Sequence, residues 1–293
     1  MSSIAKDDWD DHWSSYDASN KRNPAQSYRR HLLLQLLDLP NTPDTRLVDI
    51  GAGTGEFIWD VHSSAPDVKL LGIEYSTKGV EIARAREPSA VFHQLDLLQT
   101  ITTLPEYWHW GTYAVCSEVL EHVDDPVALL KNAATFLAPG CRLVVTVPGG
   151  PISAFDCYIG HRQHFTTASL RELLEKAGLQ VEMVTGAGFP FFNLYRLLVL
   201  ARGKALITDA QGVPNLLMKA ISTVFDSLMR CSLLRTPLGW QMVAIARLPG
   251  THPVKLSITH KLPICRDCSP NKILESAESV VIELNRYCGG CSR

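Results

Sequence analysis

From Arg46 onward, short apolar runs alternate with stretches whose apolar residues recur three and four positions apart. The runs at 46–50, 69–74, 90–95, 112–117 and 141–147 are apolar at most positions, as strands buried on both faces are. The stretches at 56–64, 78–86, 125–137 and 167–177 carry one apolar stripe each, which predicts helices laid against a sheet. Strand and helix in alternation predict an α/β fold with a doubly wound, mostly parallel sheet. Further runs near 179–185 and 240–247 bring it to seven strands. Pro139-Gly140 reads as a helix stop ahead of the fifth strand, and Ala177-Gly178 as one ahead of the sixth.

Two segments lie outside this alternation. Before the first strand, Trp9, Trp13 and Tyr16 have helical spacing, as do Tyr28, Leu32 and Leu36, ahead of the stop Leu39-Pro40-Asn41-Thr42-Pro43. Residues 1–45 are thus an N-terminal helical unit, read either as packing or as a lid carrying Trp13 and Tyr16. Between the last two strands, 189–238 predicts a helical insertion, with Phe189 to Leu200 leading in and a second apolar helix around Leu216 to Leu228. Three readings fit it: a cap burying its own apolar face, a greasy acceptor pocket, or a peripheral membrane contact. Arg196, Arg202 and Lys204 exclude a simple span.

Composition narrows the class. The 293 residues suffice for one large domain, 46–250, with an appendage at 251–293. A hydrophobic content of 46% and a charged content of 20% describe an ordinary globular protein, and a net charge of −2 gives no general attraction to nucleic acid. The polar, acidic start Met1 to Asp11 is unlike a secretory signal, and no apolar run reaches the ~18–20 residues of a span. A cytoplasmic location is expected.

The chemistry begins at Arg46-Leu47-Val48-Asp49-Ile50-Gly51-Ala52-Gly53-Thr54-Gly55. Here an apolar strand ends in an acid, then in glycines that let backbone approach a ligand, then in a helix start with free N–H groups. A dinucleotide fingerprint would need Gly-x-Gly-x-x-Gly, but the third glycine comes one position early and Glu56 follows it. The block resembles motif I of the class I S-adenosylmethionine-dependent methyltransferases. That resemblance spans about 30–250, strongest over 46–175, and implies a Rossmann-like methyltransferase fold with an antiparallel last strand. In many members the segment before the first strand forms a lid over the ligand. The resemblance further implies that Asp49, Gly51, Gly53 and Gly55 hold the methionine end of S-adenosyl-L-methionine, and that Asp96 takes the adenine amino group while the N–H of Leu97 meets a ring nitrogen. Glu74, ending the second strand, suits both hydroxyls of a ribose, with Tyr75 against the adenine.

Cys116-Ser117-Glu118-Val119-Leu120-Glu121-His122-Val123-Asp124-Asp125-Pro126 leaves the fourth strand on the side where a transferred methyl would be. It resembles the Glu-x-x-Glu-His segment of the ubiquinone-pathway O-methyltransferases and the small-RNA 2′-O-methyltransferases. That likeness implies a divalent cation (magnesium, manganese or zinc) on Glu118, Glu121 and His122, completed by a histidine from Gly160-His161-Arg162-Gln163-His164, with His164 the candidate. Such a mixed oxygen and nitrogen set suits those ions and would activate a hydroxyl. The same residues also read without a metal, with His122 as general base or pocket wall and Glu118 orienting a loop, or as purely architectural.

At the C-terminus, Cys265-x-x-Cys268 and Cys288-x-x-Cys291 have a spacing suited to a structural zinc. Between them Asn271 to Arg286 reads as an amphipathic helix, about 24 Å long if unbroken, so one shared ion requires a shorter helix or a strand there. Unpaired or partner-facing thiols are the other reading. The expected function is methyl transfer to a small-molecule acceptor, at oxygen. A methyltransferase for RNA ends would need a basic groove, whereas Lys21-Arg22, Arg29-Arg30, Arg84 and Arg86 are scattered, so no nucleic-acid partner is expected. A catalytically inactive binding or scaffold protein is a further alternative, against which the intact Glu118, Glu121 and His122 count.

Overall fold

A computed structural model describes residues 8–20, 23–203 and 216–250, with the side chains of 15–20 and 216–222 left out of the description. The seven strands form one sheet in the order β3-β2-β1-β4-β5-β7-β6. Their ranges are β1 Arg46–Ile50, β2 Lys69–Glu74, β3 Val91–Gln94, β4 Gly111–Ser117, β5 Leu137–Pro148, β6 Gln180–Ala187 and β7 Gln241–Arg247. β1 pairs in parallel with both β2 and β4, and β7 runs antiparallel to β5 and β6. The doubly wound α/β sheet of the sequence, with its reversed last strand, is the one observed.

Both faces of the sheet are buried, which is why its strands read as continuous apolar runs. In β1, Val48 and Ile50 join one core and Leu47 the other. In β5, Leu143, Val145 and Val147 face the first core and Val144 the second. Flanking helices are α1 Trp9–Asn20, α2 Pro24–Leu37, α3 Glu56–Ser64, α4 Thr77–Arg86, α5 Pro126–Ala133, α6 Ala154–Tyr158, α7 Thr167–Lys176, α8 Phe191–Arg202 and α9 Leu216–Met229. The Tyr28, Leu32, Leu36 stripe of α2 is buried in the second core, opposite the face that meets solvent.

One expectation needs correction. Pro139-Gly140 does not end a helix: α5 stops at Ala133, a 3₁₀ turn covers Ala134–Phe136, and β5 already starts at Leu137. Gly111 pairs Leu137 and Tyr113 pairs Arg142, so the extra residues around Pro139-Gly140 bulge out of β5. Gly140 there has φ +82° and donates its N–H to the Leu248 carbonyl, a conformation a side chain would oppose. Ala177-Gly178 behaves as read, with Gly178 at φ +85° just past α7.

The cap expected over 189–238 contains α8 and α9, which pack on each other, with α9 also packing on α2. The tail at 251–293, and with it Cys265, Cys268, Cys288 and Cys291, lies outside the described residues.

Candidate functional site

Neighbouring crossovers part at β1, between β2 and β4, and the crevice beyond the strand ends is where ligands of such sheets bind. Gly51, Gly53 and Gly55 enter it with φ of +76°, +53° and +76°. A side chain on Gly51 would collide with Val119, so the loop is pressed against the segment that follows β4. Asp49, 4% exposed, sits beneath it. Burial first, and the nearby Glu74 second, raise its pKa to about 7.

Glu74 ends β2 almost fully buried, accepting the Gly53 N–H at 2.8 Å and the Ser76 N–H at 2.9 Å. Burial pushes its pKa up, and those two N–H bonds oppose the shift. Tyr75 accepts the Gln94 side-chain amide at its carbonyl, 2.9 Å away. Asp96, two residues beyond β3, caps the next turn by accepting the Leu98 N–H at 2.9 Å, and Leu97 is buried beside it. The structure thus brings Asp49, the three glycines, Glu74 and Tyr75 to one crevice mouth, with Asp96 and Leu97 at the adjoining strand end.

Helix α1 lies over this mouth. Asp10 accepts from the Ser76 hydroxyl and, at 3.0 Å, from the Lys78 N–H, tying α1 to the start of α4. The Trp13 indole covers Gly53 and Gly79, where a side chain at either glycine would meet it at 3.0–3.1 Å. Its buried N–H lies close enough to Glu74 to favour the carboxylate slightly, yet makes no hydrogen bond of good geometry. A cleft of about 350 Å³ opens to the side, lined among others by Trp9, Asp10, Tyr75 and Gln94. The side chain of Tyr16 is outside the description.

Beyond β4 the four candidate metal ligands part company. Glu118, at φ +55°, turns its carboxylate toward α2 and β7. It meets Arg29 Nη2 at 3.0 Å and accepts the Gln241 amide at 2.8 Å and the Thr146 hydroxyl at 3.3 Å. Gln241 in turn accepts from Arg29 Nε at 2.8 Å and donates to the Val147 carbonyl at 3.0 Å. Glu118 is therefore occupied by protein partners.

Glu121 is the opposite case. It is fully buried, and neither oxygen has a hydrogen-bond partner. Its Oε1 stands 3.9 Å from His122 Nε2 and 4.0 Å from His161 Nε2. Burial, then the charge of Glu118, lift the Glu121 pKa well above the carboxylate range. Burial also pushes His122 down to about 4 and His161 well below its ordinary value, so both imidazoles are neutral near pH 7. Trp9 of α1 closes the far side, its ring 4.7 Å from that of His122 and perpendicular to it.

His164 stands one step behind. Its Nδ1 is 3.0 Å from the Gly150 carbonyl, and its Nε2 is 3.2 Å from His161 Nδ1. The carbonyl requires a proton on His164 Nδ1, so Nε2 accepts from His161 Nδ1–H, and the His161 Nε2 lone pair is left facing Glu121. Of the set expected from the sequence, Glu121 and His122 come together, His161 takes the place given to His164, and Glu118 points elsewhere. Asp156 also lies near His161, at 4.0 Å, but both its oxygens are held by Arg196 at 2.9 and 2.7 Å and one also by the Ser153 N–H. Burial works against its charge, yet the Arg196 guanidinium keeps its pKa below the usual range.

Arg29, Gln241, Asp156 and Arg196 were not foreseen. A signal existed for two of them: Arg29 shares the α2 stripe with Tyr28, Leu32 and Leu36, and Arg196 the α8 stripe with Phe192 and Val199. A cation on an apolar stripe must find a buried anion.

The profile of the family described as "Methyltransferase domain" matches residues 22–184. The chain belongs to that family. It is 27% identical over 172 residues to the ubiquinone biosynthesis O-methyltransferase of Aeromonas salmonicida, covering 52% of this chain and 70% of that one. To an O-methyltransferase of Pyrenophora dematioidea it is 29% identical over 136 residues, covering 44% of this chain and 49% of the relative, so it spans about half of that relative's length. Among solved structures, the putative methyltransferase in complex with the Haloferax volcanii Trm112 methyltransferase activator superposes with a TM-score of 0.57 at 17% identity, covering 85% of this chain and 99% of that one, a likeness of fold. The protein is an S-adenosylmethionine-dependent methyltransferase.

Proposed function

We propose that this methyltransferase moves the methyl group of S-adenosylmethionine to a hydroxyl oxygen of a small-molecule acceptor at Glu121, His122 and His161. The observation that carries the reading is a fully buried Glu121 carboxyl with no hydrogen-bond partner, faced by two neutral imidazoles. A buried carboxyl left unpaired costs about 1–3 kcal/mol, a cost that persists where function needs the group. The O-methyltransferase names of both relatives agree with transfer to oxygen.

The donor would lie across the glycine loop, with Asp49 on the methionine ammonium, Glu74 on the ribose and Tyr75 and Asp96 at the adenine. Because Val119 packs on Gly51, the acceptor residues that follow it sit beside the methionine end. The sulfonium–CH₃ bond breaks as the O–CH₃ bond forms in line, and the hydroxyl proton passes to a neutral imidazole of His122 or His161. His164 holds His161 in the tautomer whose Nε2 can accept it. Trp9 and Trp13 of α1 would exclude water from above.

The residues also fit a divalent cation. Glu121, His122 and His161 each offer a ligand atom, all within 4.8 Å of one another, and His161 turns its Nε2 lone pair to Glu121. When bound there, such an ion would make the acceptor hydroxyl more acidic. Methyl transfer from labelled S-adenosylmethionine into a small-molecule extract tests the reaction, and repeating it after metal stripping tests the ion. Absence of any transfer despite donor binding rejects the reading, and full activity without metal rejects the cation while leaving His122 and His161 as bases.

A further inference from the structure

Arg30 and Arg86, scattered in the sequence, converge in the fold on the start of α3 and the glycine loop before it. Arg86 ends α4, where its guanidinium could have satisfied the last carbonyls of its own helix. It reaches the loop instead: Nη1 donates to the Thr54 carbonyl and, at 2.7 Å, to the Thr54 hydroxyl. Arg30 of α2 meets Glu56, the first residue of α3, at 2.8 Å and Asp60, one turn on, at 2.7 Å. Glu56 turns its other oxygen toward Arg86 Nη2, 3.8 Å away. A carboxylate between two guanidiniums thus helps aim Arg86 at Thr54.

Thr54 is buried between Gly53 and Gly55, both at positive φ. The earlier peptides of the loop are fixed by β2: the Gly51 and Ala52 N–H groups donate to the Ile73 carbonyl at 2.8 and 3.0 Å, and the Gly53 N–H to Glu74 at 2.8 Å. In the Thr54–Gly55 peptide the Gly55 N–H closes a turn onto the Ala52 carbonyl at 2.9 Å. Its carbonyl points the opposite way, as a trans peptide requires, and Arg86 takes it. Glycine at both flanks lets the backbone sample either sign of φ, so a flip of this peptide is open to the chain. A flip would break both bonds, and the one to Arg86 is charge-assisted.

We propose that Arg86 is a positioning residue for the methyl donor: its grip on Thr54 keeps Gly53 to Gly55 in the donor-binding conformation before the donor arrives. A loop ordered in advance spares the donor the cost of ordering it. This role rests on the placement of the donor across the glycine loop, and it falls to a residue 32 positions beyond the one it holds.

Calorimetric titration of the full chain with S-adenosylmethionine, alongside melting temperature and amide hydrogen exchange, tests it. Arg86→Gln should weaken donor binding about tenfold, as loss of a hydrogen bond to a charged group does. Exchange should quicken at Gly53 and Gly55 while the Ile58 and Val61 amides of α3 stay protected. Arg86→Lys should restore most of the affinity, since a single nitrogen serves both Thr54 oxygens. Thr54→Val, which loses only the hydroxyl bond, should weaken binding less and add little to Arg86→Gln. If Arg86→Gln melts early, Arg86→Lys and Thr54→Val carry the test. Affinity that falls only in step with melting temperature, with loop exchange unchanged, overturns the proposal and leaves Arg86 a structural tie. Asp49→Asn separates the two layers. If it weakens donor binding and Arg86→Gln does not, the role of Arg86 falls and the donor site stands. If neither weakens it, the donor lies elsewhere and both fall.

Discussion

Glu118 and Glu121 lie three residues apart beyond the same strand, and only Glu118 is neutralised by protein: Arg29 reaches it at 3.0 Å, while Glu121 is more deeply buried with no hydrogen-bond partner. The backbone explains the split. The left-handed turn at Glu118 sends its side chain back toward α2 and β7, and the 3₁₀ turn at Leu120–His122 carries Glu121 and His122 forward to meet His161. A sequence written Glu-x-x-Glu-His thus divides into one acid paired with Arg29 and one without a hydrogen-bond partner.

The Arg29–Glu118 pair should behave as a buried ion pair. Arg29→Ala leaves a carboxylate 13% exposed without its cation and should cost about 3–5 kcal/mol in urea unfolding. The double variant Arg29→Met/Glu118→Gln removes both charges and should recover most of that loss.

Asp49 sets a pH dependence for donor binding. Its folded-state pKa of about 7 lies above the ordinary 3.8, so the folded protein takes up a proton more readily than the unfolded chain. The stability from this group is full below about 3.8 and is lost as pH rises through 7. Binding of the donor ammonium requires the charged form, so donor affinity should fall up to about tenfold per pH unit below 7 and level off above it. Calorimetry at several pH values checks this, and Asp49→Asn should bind weakly with no such slope.

Trp13 should report on donor entry. The indole covers Gly53 and Gly79 beside Glu74, the ground assigned to the ribose. Donor binding is expected to displace it and change tryptophan fluorescence, a change absent from Trp13→Phe. Trp13→Ala should speed donor association several-fold; unchanged association would mean that α1 does not cover the entry route.

Much of this architecture was legible in the sequence because strands buried on both faces betray themselves as apolar runs, and Gly51 to Gly55 with Glu74 and Asp96 mark three successive strand ends. What escaped was set by contacts distant in the chain. Nothing near Glu118 announces that Gln241, 123 residues later, will bond it. The sequence reading takes His164 as the ligand, and only the Gly150 carbonyl, which fixes the proton on His164, makes His161 the inner imidazole and His164 the outer one. Pro139-Gly140 was misplaced because a bulge inside a strand carries the same residues as a helix stop.

The proposed divalent-ion site can be tested without turnover. Manganese or zinc should raise the melting temperature of the wild type and leave Glu121→Gln and His161→Ala unshifted, because each lacks one of the three groups proposed to hold the ion. His164→Ala should retain the shift at reduced affinity, about 10–100-fold weaker, as expected when an outer partner that orients a ligand is lost. Equal loss in His164→Ala and His161→Ala would place His164 on the ion itself.

The most direct measurement is transfer of a labelled methyl from S-adenosylmethionine into a small-molecule extract by wild type, Glu121→Gln and His122→Ala, with donor affinity measured in parallel. Label should appear on an acceptor oxygen with the wild type and fall by about a hundredfold or more in either variant, with donor affinity held within about twofold. Tight donor binding without transfer, or a Glu121→Gln variant turning over at the wild-type rate, would contradict the assignment of this cluster to the acceptor.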